Sequence, residues 1–531
     1  MLSTIRSASV MGSQGASVVV EVHIGVGLPA FTILGRPDDT CRESRDRIRT
    51  AVLSSGFHWP SHRITVNLAP STHRKTGTAL DAAMAVAILV ADGQLPAEVV
   101  DGVAIIGELG LDGRVRPVTG VAPMVMSLVR DDEGDVDDRP FLSPLRGVVV
   151  PVANVDEARI AKPPSLRAVR TLRELAECLV GSAPWPDLPQ AVSRHQPAPL
   201  PDLADVRGQD AARLGLELSA AGGHHLLLVG PPGSGKTMLA QRLPGLLPPL
   251  DERTSLDVML IRSAAGETLT RSGTGETLGG HGLVTSPPIR MPHHSASTIS
   301  IIGGGSSSLR PGEVSLAHGG VLFLDELGEF APSTLDALRQ PLESGCIRID
   351  RANTRLELPA RFTLVAATNP CPCGGGAPGA CECDETALSK YRRRFSGPFI
   401  DRFDVRVVVH RPRVDDLLGE KPGESTAVVR ERVMRARDIA LDRQGSLNAF
   451  LTGDDLDRFA RVDVRGMARL RSELEAGRLT GRGLHRVRRV ARTIADREGG
   501  PEVLDESHVA AALALRARIA PRRGDDLRRV G

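Results

Sequence analysis

An eight-residue segment ending in Gly-Lys-Thr constrains the fold of this chain more than any other feature. It reads Gly230, Pro231, Pro232, Gly233, Ser234, Gly235, Lys236, Thr237 and follows the apolar run Leu226–Val229. A G-x-x-x-x-G-K-[ST] pattern between a strand and a helix is typical of a loop whose backbone N–H groups cradle phosphates. We expect Lys236 to reach the β- and γ-phosphates and Thr237 to bind Mg²⁺. The segment predicts that the chain binds a nucleoside triphosphate.

Two carboxylates follow a second buried-strand pattern, Val321–Leu324. Asp325 is placed to hold Mg²⁺ through water, and Glu326 is placed to polarise the attacking water. A solvated strand end is the alternative interpretation, and the phosphate loop upstream makes it the minor one. The pair therefore predicts hydrolysis as well as binding.

Length and composition exclude several classes of protein. A chain of 531 residues is long enough for two to four domains. The N-terminus lacks the apolar core of a signal peptide, and the longest apolar run, residues 82–91, is too short to span a bilayer. We therefore expect a cytoplasmic protein that does not cross a membrane. The aromatic content of 3% argues against a surface that binds single strands mainly by base stacking.

Shifts in composition divide the chain into five segments. These are an α+β block (1–183), a proline-rich linker (184–201), a core with the phosphate loop (202–411), an arginine-rich helical block (412–520) and a basic tail (521–531). Strand patterns in the core are apolar throughout, as in a parallel sheet covered on both faces. A long interval between Thr237 and Asp325 contains the Gly/Ser-rich residues 303–308, which predicts an insert that projects from the core.

Two polar residues follow later patterns of the core. The strand pattern Phe362–Ala366 leads to Asn369, which resembles the sensor 1 residue that orients the attacking water in AAA+ ATPases. Arg402 resembles the finger that reaches the γ-phosphate held by a neighbouring subunit. The alternative for Arg402 is an ion pair with Asp401 or Asp404.

Five further segments make the resemblance specific. They are His293–Ser297, Pro311–His318, Leu324–Leu327, Leu338–Glu343 and Asn369–Gly374. They closely resemble the magnesium-chelatase-like AAA+ proteins of the ComM/YifB type, and the match covers nearly the whole chain. The resemblance implies an α/β AAA+ core that hydrolyses ATP with Mg²⁺, a helix-2 insert at 296–305 and a helical lid of the magnesium-chelatase C-terminal type.

The same resemblance suggests where arginines act. Two alternating runs between residues 347 and 358 read as a hairpin, and the resemblance identifies it as the pre-sensor-1 hairpin. Arg348, Arg351 and Arg355 are candidates to contact a phosphate backbone, and a solvated hairpin is an equal alternative. In the lid, Arg482 is the first choice for the sensor 2 residue that contacts nucleotide, and Arg486 is the second.

The N-terminal block carries a second resemblance, to the Lon protease domain, which has a ribosomal S5 domain 2-like fold. It depends on the segments Arg74–Asp81 and Gly107–Val118. Lon-type proteolysis needs a serine activated by a lysine, but the nucleophile position falls on Ala79 and the lysine position on Ala122 or Met124. We therefore expect a non-proteolytic domain used for assembly or for binding DNA or a partner. Thr78, one residue from the nucleophile position, leaves a small doubt.

Four cysteines lie close together after Asn369. They are Cys371, Cys373, Cys381 and Cys383. Four thiolates can hold a structural Zn²⁺ with no open position for chemistry. A reducing cytoplasm argues against disulfides, and unligated thiols are the remaining alternative. A zinc clip here would steady the segment that runs to Arg402.

These features together favour an ATP-driven motor that acts on DNA. The leading hypothesis is a homo-hexameric helicase for branch migration in recombination or natural transformation, which binds single-stranded or branched DNA and works beside recombination proteins. The alternatives are the ATPase subunit of a metal chelatase and an AAA+ remodeller that does not act on DNA. The sequence leaves the preferred DNA structure open.

Overall fold

The computed structural model describes residues 2–72, 74–133, 143–190, 200–267, 284–305, 309–351, 354–375, 381–395, 397–418 and 422–517. Within these ranges the chain forms an N-terminal part around a mixed sheet, a core around a parallel sheet, and a helical C-terminal part. The predicted tail (521–531), most of the linker (191–199) and residues 306–308 of the Gly/Ser-rich stretch lie outside the described residues.

The N-terminal part is a mixed sheet with helices against it. Its elements are β1 (Leu2–Met11), β2 (Gln14–Gly25), β3 (Ala30–Leu34), α1 (Asp39–Ser54), β4 (Arg63–Ala69), α2 (Asp81–Ala91), β5 (Val103–Ile105), β6 (Glu108–Leu109), β7 (Val115–Arg116), α3 (Val121–Glu133), β8 (Gly147–Pro151), α4 (Val155–Ile160), β9 (Leu166–Val169) and α5 (Leu172–Leu179). The sheet order is β3-β4-β2-β1-β5-β8-β9, antiparallel between β1, β2 and β4 and parallel elsewhere.

Helix α1 is bounded by a side-chain cap at its start and by a glycine just after its end. The Asp38 side chain accepts a hydrogen bond from the Cys41 N–H at the start of the helix. Gly56 follows its end with a φ of 84°, a conformation that favours glycine. Helix α2 is buried along its whole length, which explains why its sequence is apolar on every side.

The core contains the parallel sheet that the apolar strand patterns predict. Its elements are α6 (Asp210–Gly222), β10 (Leu226–Val229), α7 (Lys236–Ala240), α8 (Leu243–Leu246), α9 (Glu252–Ala265), β11 (Ile289–Arg290), α10 (Thr298–Ile302), β12 (Gly303–Gly304), β13 (Arg310–Pro311), α11 (Glu313–Leu316), β14 (Val321–Leu324), α12 (Pro332–Ala337), α13 (Arg339–Ser344), β15 (Cys346–Arg351), β16 (Thr354–Pro359), β17 (Thr363–Thr368), α14 (Glu385–Arg394), α15 (Gly397–Ile400), β18 (Val405–Val408) and α16 (Val414–Leu418). Strands run in the order β11-β14-β17-β10-β18, and every neighbouring pair is parallel.

Both faces of this sheet are covered. Leu226 and Leu228 pack on one face with side chains of the lid, and Leu227 and Val229 pack on the other face with side chains of α12 and α15. Burial on both sides explains why the strands read as continuous apolar runs. The predicted mixed α/β fold with a parallel nucleotide-binding sheet is confirmed.

The helical C-terminal part packs on α6. Its elements are α17 (Thr426–Gln444), α18 (Gly453–Phe459), β19 (Arg461–Val462), α19 (Val464–Glu475), α20 (Gly481–Arg497), β20 (Val503–Leu504) and α21 (Glu506–Ala514). Glu217 of α6 accepts hydrogen bonds from Arg432 at 2.8 Å and from Arg497 at 2.6 Å. These buried ion pairs tie two lid helices to the helix that precedes the phosphate loop.

The N-terminal part contacts the core through α3, α4 and α9. The Ser263 hydroxyl donates to the Glu157 carboxylate at 2.8 Å and accepts a hydrogen bond from the Ala122 N–H at 3.2 Å. Burial raises the pKa of Glu157, although the hydrogen bond from Ser263 acts in the opposite direction. Among the helices that the structure describes, none combines the length and apolar character that a membrane-spanning helix requires.

Candidate functional site

The phosphate loop connects the carboxyl end of β10 to the start of α7. Gly233 and Gly235 have φ values of 74° and 87°, in the region that favours glycine. A Cβ atom on Gly230 would come within 2.2 Å of the Val409 carbonyl oxygen. These positions therefore require glycine, and the loop lies at the carboxyl ends of parallel strands, where open α/β sheets bind ligands.

The Lys236 side chain lies inside this loop. Its ammonium group donates to the carbonyl oxygens of Gly230 at 2.7 Å and Pro231 at 2.9 Å, and to Asn369 Oδ1 at 3.3 Å. Burial lowers the pKa of Lys236, and the carboxylates that follow β14 oppose this shift. The structure thus brings together Lys236 and Asn369, two predicted site residues that are far apart in sequence.

Thr237 and Asp325 form the expected metal-binding pair. Thr237 Oγ1 donates to Asp325 Oδ2 at 2.6 Å, and the Glu326 N–H donates to Asp325 Oδ1 at 2.9 Å. Hydroxyl and carboxylate oxygens are the hard ligands that Mg²⁺ prefers. The residues present therefore fit a Mg²⁺ ion at this point of the site.

The Glu326 side chain extends from an unusual backbone conformation. Its φ of 51° and ψ of 47° are left-handed, which is uncommon outside glycine and is concentrated at functional sites. The side chain is 60% exposed, and one carboxylate oxygen lies 3.1 Å from His294 Nδ1. Glu326 is therefore accessible to water at the edge of the site, with a histidine beside it.

Asn369 is supported from behind by Tyr391. The Tyr391 hydroxyl donates to the Asn369 carbonyl oxygen at 2.9 Å and shares a hydrogen bond with Thr368 Oγ1 at 2.9 Å. Burial raises the pKa of Tyr391, so the phenol keeps its proton at neutral pH. The end of β17, which carries Asn369, is fixed by these bonds.

Arg402 does not pair with either predicted alternative partner. Its guanidinium contacts the carboxylate of Glu343 on α13, whereas Asp401 pairs with Arg406 and Asp404 pairs with Arg486. Because Arg406 and Arg486 already engage these two aspartates, Arg402 pairs with the carboxylate on α13 instead. The alternative interpretation, an ion pair of Arg402 with Asp401 or Asp404, is therefore not what the structure shows, and the role of Arg402 as a finger stays a prediction.

Arg402 belongs to a cluster of positive charges that is separate from its own phosphate loop. Burial lowers the pKa of Arg402, and the charges of Arg486, Arg482 and Arg339 lower it further. Among the described residues, Arg402 makes no hydrogen bond to the phosphate loop. The structure brings the two arginines predicted for finger and lid, Arg402 and Arg482, to one surface.

The two lid candidates have different surroundings. Arg486 donates to Asp404 Oδ1 at 2.6 Å and to the Arg402 carbonyl at 3.0 Å. Burial alone would raise the pKa of Asp404, but the hydrogen bond from His224 and the charges of His224 and Arg486 hold it well below its usual range. Arg486 is therefore engaged within its own chain, and Arg482 is exposed at the start of α20.

The predicted hairpin is present. Strands β15 and β16 are antiparallel, with Ile347 opposite Leu358, and Arg348 donates to Glu357 at 3.0 Å with both side chains at least half exposed. The side chains of Arg351 and Arg355 lie outside the described part of the chain.

The four clustered cysteines lie close enough together to hold one metal ion. Their sulfur atoms all lie within 4.8 Å of one another, and Cys371 and Cys373 are 3.3 Å apart. Tetrahedral Zn²⁺ with Zn–S bonds of about 2.3 Å separates its sulfurs by about 3.8 Å, and a disulfide needs about 2.05 Å. Backbone N–H groups lower the pKa of Cys373 to about 6, which favours the thiolate. The four thiols therefore fit Zn²⁺.

This cysteine loop contacts the phosphate loop. A Cβ atom on Gly374 would come within 2.9 Å of the Pro232 ring, so the two loops are already in close contact at this glycine. A metal ion held by the four sulfurs would set the position of a segment that touches the nucleotide-binding backbone.

The N-terminal residues singled out for proteolysis are not arranged for it. Ala79, Ala122 and Met124 are buried, and the Thr78 hydroxyl donates to the Glu108 carboxylate. Because Thr78 has a carboxylate partner instead of a lysine, it lacks the activated-nucleophile arrangement. The resemblance of this part to the Lon domain remains a prediction.

Three residues near the site are missed by sequence reasoning. They are Tyr391, His294 and Glu343. Tyr391 is the single tyrosine of the chain, and buried phenols need a hydrogen-bond partner, but no local pattern indicates which one. His294 and Glu343 lie inside the segments that carry the family resemblance, so a signal was present without an assigned role.

Known protein families and individual proteins match the sequence of this chain over almost its full length. Family models described as "Magnesium chelatase, subunit ChlI", "Subunit ChlI of Mg-chelatase" and "Magnesium chelatase, subunit ChlI C-terminal" match residues 202–417, 20–135 and 423–516. An uncharacterized protein of Mycobacterium tuberculosis is 44% identical over 523 residues, covering 97% of this chain and 99% of that protein.

Two further relatives are similar over the same length. YifB of Escherichia coli is 38% identical over 519 residues, with 97% of each chain covered. The competence protein ComM of Haemophilus influenzae is 37% identical over 524 residues, with 98% of each chain covered. Together with the nucleotide-binding geometry, these full-length similarities show that the chain belongs to the magnesium-chelatase-like AAA+ ATPases of the ComM/YifB type.

Proposed function

We propose that this ATPase is a ring-forming motor that moves DNA, as a hexameric helicase for branch migration during recombination. The observation that carries the proposal is one continuous segment. Hairpin β15–β16, which bears Arg348, leads after three residues into β17, and β17 ends next to Asn369, which contacts Lys236. A movement of Asn369 caused by binding or loss of the γ-phosphate can therefore be transmitted along β17 to the exposed basic hairpin.

Each residue of the site has a defined part in hydrolysis. Glu326 accepts a hydrogen bond from the attacking water and directs its oxygen to the γ-phosphorus as the bond to ADP breaks. Lys236 neutralises charge on the phosphates, and Asn369 orients the water. Thr237 and, through water, Asp325 would hold the Mg²⁺ that neutralises charge on the phosphate oxygens.

The arginine cluster supports a ring. Arg402 and Arg482 share a surface apart from the phosphate loop of their own chain, and the Arg402 side chain is 21% exposed. In a head-to-tail ring each subunit presents this surface to the next one. Arg402 would then complete the site of a neighbouring subunit, as arginine fingers do.

A second candidate is the ATPase subunit of a metal chelatase. The descriptions of the matching family models favour it. The full-length similarity to ComM, a competence protein, favours the DNA motor, because competence requires uptake and recombination of DNA.

One assay separates these functions. We would measure the ATPase rate at low salt without DNA and with single-stranded, duplex and branched DNA, beside a Glu326→Gln control. We expect branched or single-stranded DNA to raise the rate of the wild type, and Glu326→Gln to lose about 10²–10⁴-fold in rate. If DNA neither raises the ATPase rate nor binds to the protein at low salt, where phosphate contacts are strongest, the proposed DNA-motor function is wrong.

A matched pair of variants tests the hairpin. Arg348→Ala removes one positive charge, whereas Glu357→Gln releases Arg348 from its carboxylate partner. We expect Arg348→Ala to weaken DNA binding and lower the salt slope by about one, and Glu357→Gln to strengthen binding. Equal affinity of the two variants would show that Arg348 does not touch DNA.

A further inference from the structure

A buried histidine between α6 and β10 has no part in the hydrolytic scheme. The His224 side chain is 0% exposed, and both of its ring nitrogens have partners: Nδ1 lies 3.1 Å from Asp404 Oδ2, and Nε2 lies 2.7 Å from Thr493 Oγ1. Asp404 directly precedes β18, and Thr493 belongs to the lid helix α20. We infer that His224 is a positioning residue, which fixes α20 relative to Arg402 so that Arg402 and Arg482 face a neighbouring site together.

Asp404, His224 and Thr493 form a hydrogen-bonded chain, called the relay below. Because a carboxylate only accepts hydrogen bonds, His224 Nδ1 carries a hydrogen and donates it to Asp404. At Nε2 the Thr493 hydroxyl donates to a neutral imidazole or accepts from a charged one. Asn448 Nδ2 also donates to Thr493 Oγ1 at 3.1 Å. Every member of the relay is therefore satisfied, and removing one leaves its buried neighbours with fewer partners.

The relay gives α20 a second attachment to the segment that carries Arg402. Arg486 already donates to Asp404 Oδ1 at 2.6 Å and to the Arg402 carbonyl at 3.0 Å. Thr493 lies seven residues further along the same helix, about 10 Å away at a rise of about 1.5 Å per residue. A single ion pair would leave the helix free to pivot, whereas two attachments this far apart fix its direction.

Arg482 depends on the direction of α20. It is exposed one turn before Arg486, and its charge lowers the pKa of Arg402. The ion pair of Arg497 with Glu217 also joins α20 to the core, but it ends on α6 and not on the segment of Arg402. The relay therefore sets the position of Arg482 relative to Arg402. The inference rests on the proposed ring, in which both arginines approach one nucleotide of the neighbouring subunit.

The first test is the ATPase rate of the full chain at saturating ATP. Thr493→Val removes the hydroxyl link, and His224→Asn keeps a donor at the place of Nδ1 but loses the contact with Thr493. We expect each variant to lower kcat about three- to tenfold, within the ~10²-fold that a displacement of about 1 Å can cost. Thr493→Ser keeps the hydroxyl and should retain the wild-type rate.

A matched variant separates this effect from a loss of stability. Ser255→Ala removes another buried hydroxyl, which bonds the Val284 carbonyl at 2.5 Å, and it should lower the melting temperature without lowering kcat. If Thr493→Val does not fold, His224→Gln replaces it, because glutamine keeps a donor at the place of Nε2 and breaks the link to Asp404. An unchanged kcat in the relay variants, or a fall that Thr493→Ser shares, would overturn the inference.

A mixing experiment shows whether the relay acts on a neighbouring site. Thr493→Val keeps its phosphate loop, and Lys236→Ala, which is inactive, keeps the relay and Arg402. In an equal mixture, half of the Thr493→Val sites meet an intact arginine surface. We therefore expect the mixture to hydrolyse ATP about two- to fivefold faster than the mean of the two variants alone.

A parallel mixture of Lys236→Ala with Arg402→Ala tests the ring itself. If this pair gains activity but the pair with Thr493→Val does not, the ring stands and the inference about His224 is wrong. If neither pair gains activity, the proposed ring is wrong, and the inference falls with it. A gain in both pairs supports the relay as the device that positions Arg402 and Arg482.

Discussion

The hydrolytic geometry of single residues depends on hydrogen bonds that lie behind the site. The Tyr391 hydroxyl bonds both the carbonyl of Asn369 and the side chain of Thr368. Its ring packs edge-on against Phe395 with centroids 5.1 Å apart. The backbone of Asn369 is thus held in place by the Tyr391 side chain.

Removing this hydroxyl should reduce turnover and stability together. Tyr391→Phe leaves a buried carbonyl and a buried hydroxyl with fewer partners, which costs about 1–3 kcal/mol in the free energy of unfolding. We expect kcat to fall severalfold with little change in the KM for ATP, measured by ATPase kinetics and urea unfolding. Phe395→Leu, which disturbs the ring packing only, should lower stability and spare kcat. An unchanged kcat in Tyr391→Phe would contradict the assigned role.

The residues of the phosphate loop and the pair Asp325 and Glu326 could be predicted because local sequence order fixes their chemistry. The hydrogen-bond and ion-pair partners of Arg402 and Asn369 could not be predicted in this way. Glu343 on α13 contacts Arg402, and Tyr391 on α14 bonds the Asn369 carbonyl, and no local pattern encodes these contacts. For the same reason the alternative partners considered for Arg402, Asp401 and Asp404, did not include Glu343.

At the scale of elements, the cysteine loop places a candidate metal site beside the phosphate loop. Gly374, between the two pairs of cysteines, lies against Pro232. The chain before it leads directly back to Asn369. One loop therefore touches the nucleotide site at two points.

Loss of one cysteine should release this loop. We expect Cys371→Ser to lose about one zinc ion per chain and to raise the KM for ATP, as measured by metal analysis and ATPase kinetics. Cys178→Ser is the control, because Cys178 lies on α5, away from the cluster. If neither the wild type nor the variant contains stoichiometric zinc, the four thiols are unligated and the prediction is wrong.

At this scale, strands could be predicted from the sequence where both of their faces are buried. The sheet strands Leu226–Val229 and Val321–Leu324 agree with the sequence to the residue, since both faces of the sheet are apolar. Strand β17 spans Thr363–Thr368, so it begins one residue after the apolar pattern Phe362–Ala366 and continues through Ala367 and Thr368. Their hydrogen bonds to β10 decide the end instead.

At the scale of the whole molecule, the N-terminal part and the core meet at a buried carboxylate. Burial between α4 and α9 raises the pKa of Glu157. A group with a raised folded-state pKa contributes most to stability below the ordinary glutamate pKa, and this contribution is lost as pH rises through the raised value.

Glu157→Gln should therefore become more stable relative to the wild type as pH rises. We expect the difference in melting temperature to grow between about pH 4 and pH 8, as measured by thermal unfolding. Asp156→Asn, at a more exposed neighbour that pairs with Arg159, should follow the wild type across this range. Parallel curves for wild type and Glu157→Gln would show that Glu157 is equally basic in the folded and unfolded states.

The division of the site between chains can be tested by mixing inactive variants. Lys236→Ala and Arg402→Ala should each lose ATPase activity. If Arg402 acts on a neighbouring subunit, an equal mixture regains activity at about a quarter of its interfaces, where an intact Lys236 meets an intact Arg402. Sedimentation of each variant checks assembly, and a mixture as inactive as its components would place Arg402 in its own chain's site.

If the chain assembles into the proposed ring, the contact between Arg402 and Glu343 would let each subunit respond to the nucleotide in the neighbouring site. Glu343 offers the guanidinium the kind of oxygen anion that a phosphate would also offer. A neighbour without nucleotide has nothing to displace this carboxylate, whereas a neighbour loaded with ATP can exchange places with it. Under the proposed arrangement, the contact between two subunits would therefore be strongest where the neighbouring site holds ATP and weakest where that site is empty.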